Sequence, residues 1–530
     1  MSDLPEATTP DPVEATPPDT VQASAADEAA PDEAGGPPTP RGQLLFWALI
    51  LVILAASVPL HLGSPTPDVN WLLTMCDKIL AGEVAYVDIL ETTPPVPALL
   101  YMPAVMAGQA LGVSAESVLL VMIYGLGLLS LVLLSWILPQ DTLERSRFAR
   151  TFLFAAAVGL FVTPADSFAQ REFFAAMFGL PIVAVFIRHA QTKEWPPISA
   201  RLIAGVLAAL MIAIKPPLFA LPGAFLFGYY LWRTRSFRSA LSSGLIPAGV
   251  LGVLITIASL AAFPEFFGPV WDLMREVYIP AKSGPLTFLG RREGVAMLGA
   301  FGGVVYLASR SENHTSSLWL LLATGIGYFA VYLLQGKFYG YHAYPAVLVG
   351  SIALAVASVE RVASVPRSGR RVLGCGLGVV WIVVSWMTWS SLHDLGPKMK
   401  DLSWAAELEA PTMVAISPDL ATAFPLTRRL GGKWVHSTHS QWVARMARSL
   451  HQDEGLSPER REALVAYYTG DLVRLLNCIE REAPDLIVVD LREDFEWLME
   501  ALEELRPHFL DGYTKVAEEG RIRVLKRRSK

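Results

Sequence analysis

Three acids that could do chemistry, Asp68, Asp88 and Glu91, lie in one short stretch, with Asp77 and Glu83 between them. Four cations lie much further along the chain, each at the end of an apolar run. They are Arg171 in SFAQREFF, Lys215 in IKPPLF, and Lys337 with His342 in QGKFYGYHAYP. A carboxylate can take the proton of an attacking hydroxyl or hold a divalent cation. Guanidinium and ammonium groups bind phosphate oxygens. Charges at such depth are costly and point to function when no partner accounts for them. The set therefore reads as a base on one loop and an anion site, suited to a lipid-borne phosphate, assembled from other turns.

Each residue also has a plainer reading. Asp68 stands where it could cap a helix beginning at Val69 or Asn70. Asp88 and Glu91, in YVDILETTPP, could be solvated loop acids. The cations could snorkel to headgroups. His342 could be a structural hydrogen-bonder, and Glu172 most simply pairs with Arg171 or a neighbouring cation. Arg291 and Arg292 read as interface anchors. The pattern defines no metal-ligand set and requires no cofactor, although a divalent cation is an alternative partner for the acids.

The elements that must position these residues are mostly apolar. Of 530 residues, 53% are hydrophobic and 17% charged, against about 25% charged in soluble domains. The mean hydropathy is +0.41. Spans are drawn at 43–60, 116–138, 148–164, 172–189, 198–214, 218–232, 240–262, 293–309, 316–335, 344–360 and 371–389. Arg145, Arg147 and Arg150; Arg188, Lys193 and Arg201; Arg233, Arg235 and Arg238; Arg310; and Arg361, Arg367, Arg370 and Arg371 fall in every second loop. Lysine and arginine near span ends stay cytoplasmic, so about eleven spans place the N-terminus inside. All the candidate residues are then outside, with outer loops at 61–115, 165–171, 215–217, 263–292 and 336–343.

Within the first outer loop, Asn70–Ala81 alternates at helical spacing, with Trp71, Leu72, Met75, Ile79 and Leu80 on one face. This predicts an amphipathic helix lying in the interface, ended by Gly82. Residues 1–42, rich in Pro, Ala and acids, read as a disordered cytoplasmic tail. Residues 43–390 form the membrane domain, and residues 391–530 have soluble composition. Strands are expected at Thr412–Ser417, Leu486–Asp490 and Arg521–Lys526. Helices are expected at Asp419–Leu430, Gln441–His451, Glu459–Glu482 and Phe495–Phe509. The fold class is an all-α polytopic membrane domain with a small α/β domain outside. In KWVHSTHSQW, His436, His439 and Trp442 with Arg445 could read as a site, but the run lacks a partner acid at metal-ligand spacing, and a strand-to-helix loop is the plainer account. The cysteines Cys76, Cys375 and Cys478 lack metal spacing; a Cys76–Cys478 disulfide is left open. There is no nucleotide fingerprint and no basic aromatic surface for nucleic acid.

Asp68, Gly82, Tyr86, Asp88, Glu91, Pro94 and Pro95, followed by QRE at Gln170–Glu172, KPP at Lys215–Pro217 and GKFYGYHAYP at Gly336–Pro345, carry a resemblance. The order resembles polytopic glycosyltransferases of the GT-C superfamily, in the branch similar to dolichyl-phosphate-mannose-protein mannosyltransferases and bacterial lipid A or core glycosyltransferases. It covers roughly residues 43–390. The resemblance implies an enzyme of a bacterial inner membrane. Its donor would be a polyprenyl-phosphate-linked sugar, and its acceptor a periplasmic glycan, lipid or protein. The first-loop acid would be Asp68. Many members carry a second acid directly after it, whereas Val69 and Asn70 follow here, which leaves Asp88 as a rival base. A lipid phosphate leaves as an anion and needs no acid, so one base plus cations suffices. Rival classes are a flippase or transporter of a lipid-linked saccharide and a non-enzymatic subunit of a polysaccharide assembly complex. The former should show repeats with broken helices, and the two halves show none.

Overall fold

The structure, a computed structural model, describes residues 39–63, 65–310, 315–392 and 399–528. Seven helices are long and apolar enough to cross a membrane: Pro40–His61, Ala115–Ile137, Arg171–Thr192, Leu245–Ala262, Ser316–Gln335, Gly340–Ala363 and Ser368–Met387. The chain is an integral membrane protein with an all-α membrane part.

The expectation of eleven spans is thereby corrected to seven among the described residues. A helix stands at each of the eleven positions, but four fall short of a span. Ile198–Ile214 and Arg292–Ala308 have 17 residues and Leu221–Thr234 has 14. At about 1.5 Å per residue these reach about 21–26 Å, less than a hydrocarbon core of about 30 Å. Leu143–Phe161 has 19 residues but opens on Glu144, Arg145, Arg147 and Arg150, charges that resist entry into lipid. The disordered tail expected over residues 1–42 lies outside the described residues as far as 38. At its other end, Thr39 accepts a hydrogen bond from the Gly42 N–H and Pro40 occupies the first helical position, so the first helix begins before residue 43.

Arg171–Thr192 is the axis of the bundle. Every residue from Arg171 to Ile187 is buried, which is how a helix apolar all round is accommodated. Ile198–Ile214, Ala115–Ile137, Thr315–Gln335 and Gly340–Ala363 pack around it. Gly179 lets Tyr328 and Met211 of two of these neighbours close against its backbone; a Cβ there would collide with both. The bundle therefore fixes the N-terminus of this central helix, and with it Arg171 and Glu172.

The helix of the first outer loop spans Pro67–Leu80, and Gly82 follows it at φ 98°. It does not lie in an interface with one face in water. Asn70, Thr74 and Lys78 on its polar face are buried along with Trp71, Leu72 and Met75. What covers that polar face is the C-terminal part of the chain, residues 399–528. This part carries one five-stranded sheet, β1 (Thr412–Ile416), β2 (Lys433–Trp434), β3 (Leu486–Asp490), β4 (Tyr513–Glu519) and β5 (Ile522–Arg527), in the order β2-β1-β3-β5-β4. β1, β2 and β3 are parallel, and β5 and β4 continue antiparallel. The expected helix over Asp419–Leu430 is two short helices, Leu420–Ala423 and Leu426–Arg429, divided by Pro425, which lacks an N–H and restricts the residue before it.

The two parts are joined by specific bonds. The Lys78 ammonium donates to the Trp434 and His436 carbonyls at 3.1 and 3.4 Å. The Leu90 N–H donates to the Ser437 carbonyl at 2.8 Å. Arg428 pairs with Asp77 at 2.6 Å and with Glu116, and Arg460 pairs with Glu276. Cys76 and Cys478 are free thiols, which removes the disulfide alternative.

The loop that touches the first outer loop is held from behind by Asp471. This fully buried carboxylate accepts the Ala444 N–H at 3.0 Å, in the open first turn of helix Trp442–His451. Burial pushes its pKa up to about 6, against the pull of Arg474 and that hydrogen bond. The folded state then holds its proton more tightly than the unfolded state, so this group costs stability as pH rises from about 4 to about 6, by about 2–3 kcal/mol at most. Asp471→Asn should gain on the wild type in thermal unfolding between about pH 4.5 and about pH 7.5; a difference independent of pH would refute this.

Candidate active site

Four helix ends meet at one end of the bundle. Arg171 and Glu172 open the central helix, Lys215 closes Ile198–Ile214, Gln335 closes Thr315–Gln335, and His342 sits in the first turn of Gly340–Ala363. Glu172 is wholly buried; it accepts from the Lys215 ammonium and stands 3.6 Å from His342 Nε2. Lys215 also donates to Gln335 Oε1 at 2.6 Å and lies 3.5 Å from His342 Nε2. Burial pulls the Lys215 ammonium below the usual lysine value, with Glu172 opposing. The partner of Glu172 is thus Lys215 rather than Arg171.

Above this layer Arg171 faces the first outer loop. It donates to Thr93 Oγ1 and stands 3.6 Å from Asp68 Oδ1. Asp68 lies inside the first helical turn, and the cap position belongs to Thr66. The capping reading of Asp68 is therefore corrected. Its side chain is 30% exposed. Burial pushes its carboxyl above the usual range despite Arg171, helped by Glu172 and Glu91.

Glu91 is buried and fully engaged. It accepts from Trp71 Nε1 at 2.5 Å and from the Thr93 N–H at 2.7 Å. Burial raises its carboxyl, but His439, Arg171 and these two hydrogen bonds outweigh burial and hold it below the usual range. Tyr86, in the left-handed region at φ 69°, donates its hydroxyl to the Thr93 carbonyl at 2.9 Å. Asp88 faces elsewhere: it is exposed, and its carboxylate accepts the Val84 N–H at 2.8 Å within its own turn.

Lys337 is also placed apart from the cluster. Its ammonium donates to the Tyr278 carbonyl at 2.6 Å and to that of Ala281, and it sits 4.5 Å over the Tyr278 ring. Burial, with Lys282 beside it, lowers it to about 8. Arg291 and Arg292 are exposed at the start of Arg292–Ala308.

The structure thus brings together Asp68, Glu91, Arg171, Lys215 and His342, and gives Asp88 and Lys337 local structural partners. Thr93, Gln335 and Tyr278 were not singled out from sequence as site residues, and His439 was weighed as one only within a loop. Thr93 and Gln335 adjoin motifs that were, and Tyr278 lies in the outer loop 263–292. Several buried polar atoms in the cluster have no partner among the described residues: Arg171 Nε, His342 Nδ1, Gln335 Nε2 and Glu172 Oε2. Among the described residues, no three His, Cys, Asp or Glu side chains converge as metal ligands.

No family model and no curated protein matches the chain. Among solved structures, ArnT from Cupriavidus metallidurans bound to undecaprenyl phosphate aligns with a TM-score of 0.52 at 15% identity, over 91% of this chain and 97% of that one. The same protein in the apo state gives 0.49 at 15% identity over the same shares. The arabinofuranosyltransferase AftD from Mycobacteria gives 0.44 at 17% identity, over 91% of this chain and 40% of that one. The likeness to the first of these shows that the chain shares its fold. The particular solved structure that carries it is the ArnT complex.

Proposed function

We propose that the chain is a membrane glycosyltransferase that moves a sugar from a polyprenyl-phosphate donor to an acceptor on the periplasmic face. The observation that carries this is the cluster of buried donors beside Lys215 that have no partner among the described residues: Arg171 Nε, His342 Nδ1 and Gln335 Nε2. An unpaired buried donor costs about 1–3 kcal/mol, and three in one place suit a bound anion. The N-terminus of the central helix adds its own positive end there. The fold supports the same reading, since the ArnT structure of like fold is bound to a polyprenyl phosphate.

Asp68, partly exposed above the cations, takes the acceptor's hydroxyl proton. The acceptor oxygen forms a bond to the anomeric carbon as the bond from that carbon to the phosphate oxygen breaks, with inversion. The electron pair leaves with the phosphate, which Arg171, Lys215 and His342 stabilise without protonating it. Glu91 fixes Thr93, and Thr93 in turn fixes Arg171. The raised carboxyl of Asp68 brings the base nearer to neutral pH, where a general base is most effective.

Purified chain in nanodiscs should bind undecaprenyl phosphate, read by native mass spectrometry, and Arg171→Gln should weaken this by at least about 10-fold, the loss of roughly 1.4 kcal/mol. Equal binding by both proteins would remove the anion site from the mechanism.

A further inference from the structure

The glutamine of the QRE stretch has no part in the chemistry above. Gln170 is the cap residue of the central helix Arg171–Thr192, and Thr66 is the cap residue of Pro67–Leu80, the helix that carries Asp68. A cap side chain ordinarily accepts from the first turn of its own helix. Neither of these does so. They bond to each other instead: Gln170 Nε2 donates to Thr66 Oγ1 at 2.8 Å. Two helix starts, 104 positions apart in the chain, are thus tied side chain to side chain.

The backbone is arranged to present this glutamine. Ala169, just before it, lies in the left-handed region at φ 65°, which is costly for a residue with a Cβ. The hydroxyl of the buried Tyr101 donates to the Ala169 carbonyl at 2.7 Å and holds it there. Gln170 is itself only 1% exposed, and its Oε1 is buried with no partner among the described residues. An unpaired buried oxygen is a standing cost that a leucine in the same space would not carry. Stability alone does not account for an amide here.

The joint lies beside the proposed reacting groups. Asp68 is the second residue of the helix that Thr66 opens, and Arg171, next to Gln170, stands 3.6 Å from its carboxylate. Burial raises the Asp68 carboxyl. Among its neighbours, Arg171 and a hydrogen bond from the Gln170 side chain draw it down, while Glu172 and Glu91 push it up. The other ionisable groups that feel Asp68 are Lys215, Tyr101, Tyr278, Tyr339 and Tyr341. A side-chain amide carries two N–H donors, so one group can serve Thr66 and Asp68 together.

We propose that Gln170 is a positioning residue for the transfer: its amide, anchored on Thr66, fixes where the Asp68 carboxylate stands relative to Arg171. The inference rests on the proposed role of Asp68 as base, but one of its readouts needs no turnover. Full-length chain in nanodiscs is titrated by infrared spectroscopy, with the band of the protonated Asp68 carboxyl assigned by its absence in Asp68→Asn. In Gln170→Leu the midpoint should rise by about one pH unit, because a donor to the ionised form is gone. With a polyprenyl-phosphate donor, kcat should fall by about 10- to 100-fold while the donor KM stays within about 2-fold, as for a base displaced by about 1 Å. Thr66→Val keeps the amide and removes only its anchor. It should lower kcat by a similar factor, and the double variant should be no worse than Gln170→Leu alone. Thr66 is half-buried, and its variant carries the same test should Gln170→Leu not fold.

If both variants match the wild type in midpoint and kcat, or if their losses multiply in the double variant, the inference is overturned. A lower unfolding temperature with an unmoved midpoint overturns it too, since that is what a merely structural amide would give. If the midpoint rises in Gln170→Leu although the wild type transfers no sugar from a polyprenyl-phosphate donor, the function proposed above falls and the placement of Asp68 by Gln170 stands.

Discussion

Asp68→Asn is expected to lower sugar transfer by about 10²- to 10⁴-fold, the usual worth of a general base, while undecaprenyl phosphate still binds. The size follows from what asparagine keeps and loses. It keeps the shape beside Arg171, 3.6 Å away, and loses the negative charge and with it the ability to accept a proton. The pH profile supplies a second readout. Burial raises the Asp68 carboxyl and Arg171 draws it back down. The acid limb of the wild-type profile should therefore lie above the usual carboxylate range, because activity needs the ionised form. In Arg171→Gln the limb should move to higher pH, since the group that favours ionisation is gone. Asp88→Asn should leave both turnover and limb unchanged, because that carboxylate serves its own turn. Full activity in Asp68→Asn, or a large loss in Asp88→Asn alone, would exchange their roles.

The second large effect is expected at Lys215. In Lys215→Met, the wholly buried Glu172 would lose the ammonium that pairs with it and keep Arg171 as its nearby cation. Removing one member of a buried pair costs about 3–5 kcal/mol because the other charge is left uncompensated. Thermal unfolding in nanodiscs should therefore fall sharply. In Lys215→Met combined with Glu172→Gln neither charge remains, and most of that stability should return. Activity should not return, because the proposed phosphate ligand is still missing. Recovery of both together would make Lys215 purely structural, and recovery of neither would mean that the helix ends depend on the pair in some further way.

The bundle was legible from apolar run length and loop charge, because both report on lipid and water directly. Lipid does not report helix length to a residue, so Ile198–Ile214 and Leu221–Thr234 read as spans although they are short helices packed against longer ones. The buried strand LIVVD was plain for the same reason as the spans, its continuous apolar run. β4, YTKVAEE, was not, because it is an edge strand with a charged, exposed face, and such edges are kept polar.

In the site, the gathering of Arg171, Lys215 and His342 followed from each lying at the helix end drawn on one side of the bundle, an N-terminal end for Arg171 and His342 and a C-terminal end for Lys215. What could not be read was the fate of each charge once its neighbours arrive. Lys337 finds two carbonyls, Asp88 a turn, and Glu91 an indole. The polar face of Pro67–Leu80 looked like a surface for water, because the segment that covers it is more than three hundred residues away.

That distance has a consequence for how the protein is made. Lys78 bonds to the carbonyl of Trp434, 356 positions later in the chain. At a synthesis rate of about 5–20 residues per second, the first outer loop waits roughly 20–70 s for the partner that buries it. During that interval Glu91 lacks His439, and Lys78 lacks its carbonyls. The first outer loop is thus completed only after the chain has passed Trp434, and a chain truncated before it would lack the carbonyls that hold Lys78 and the His439 ring beside Glu91.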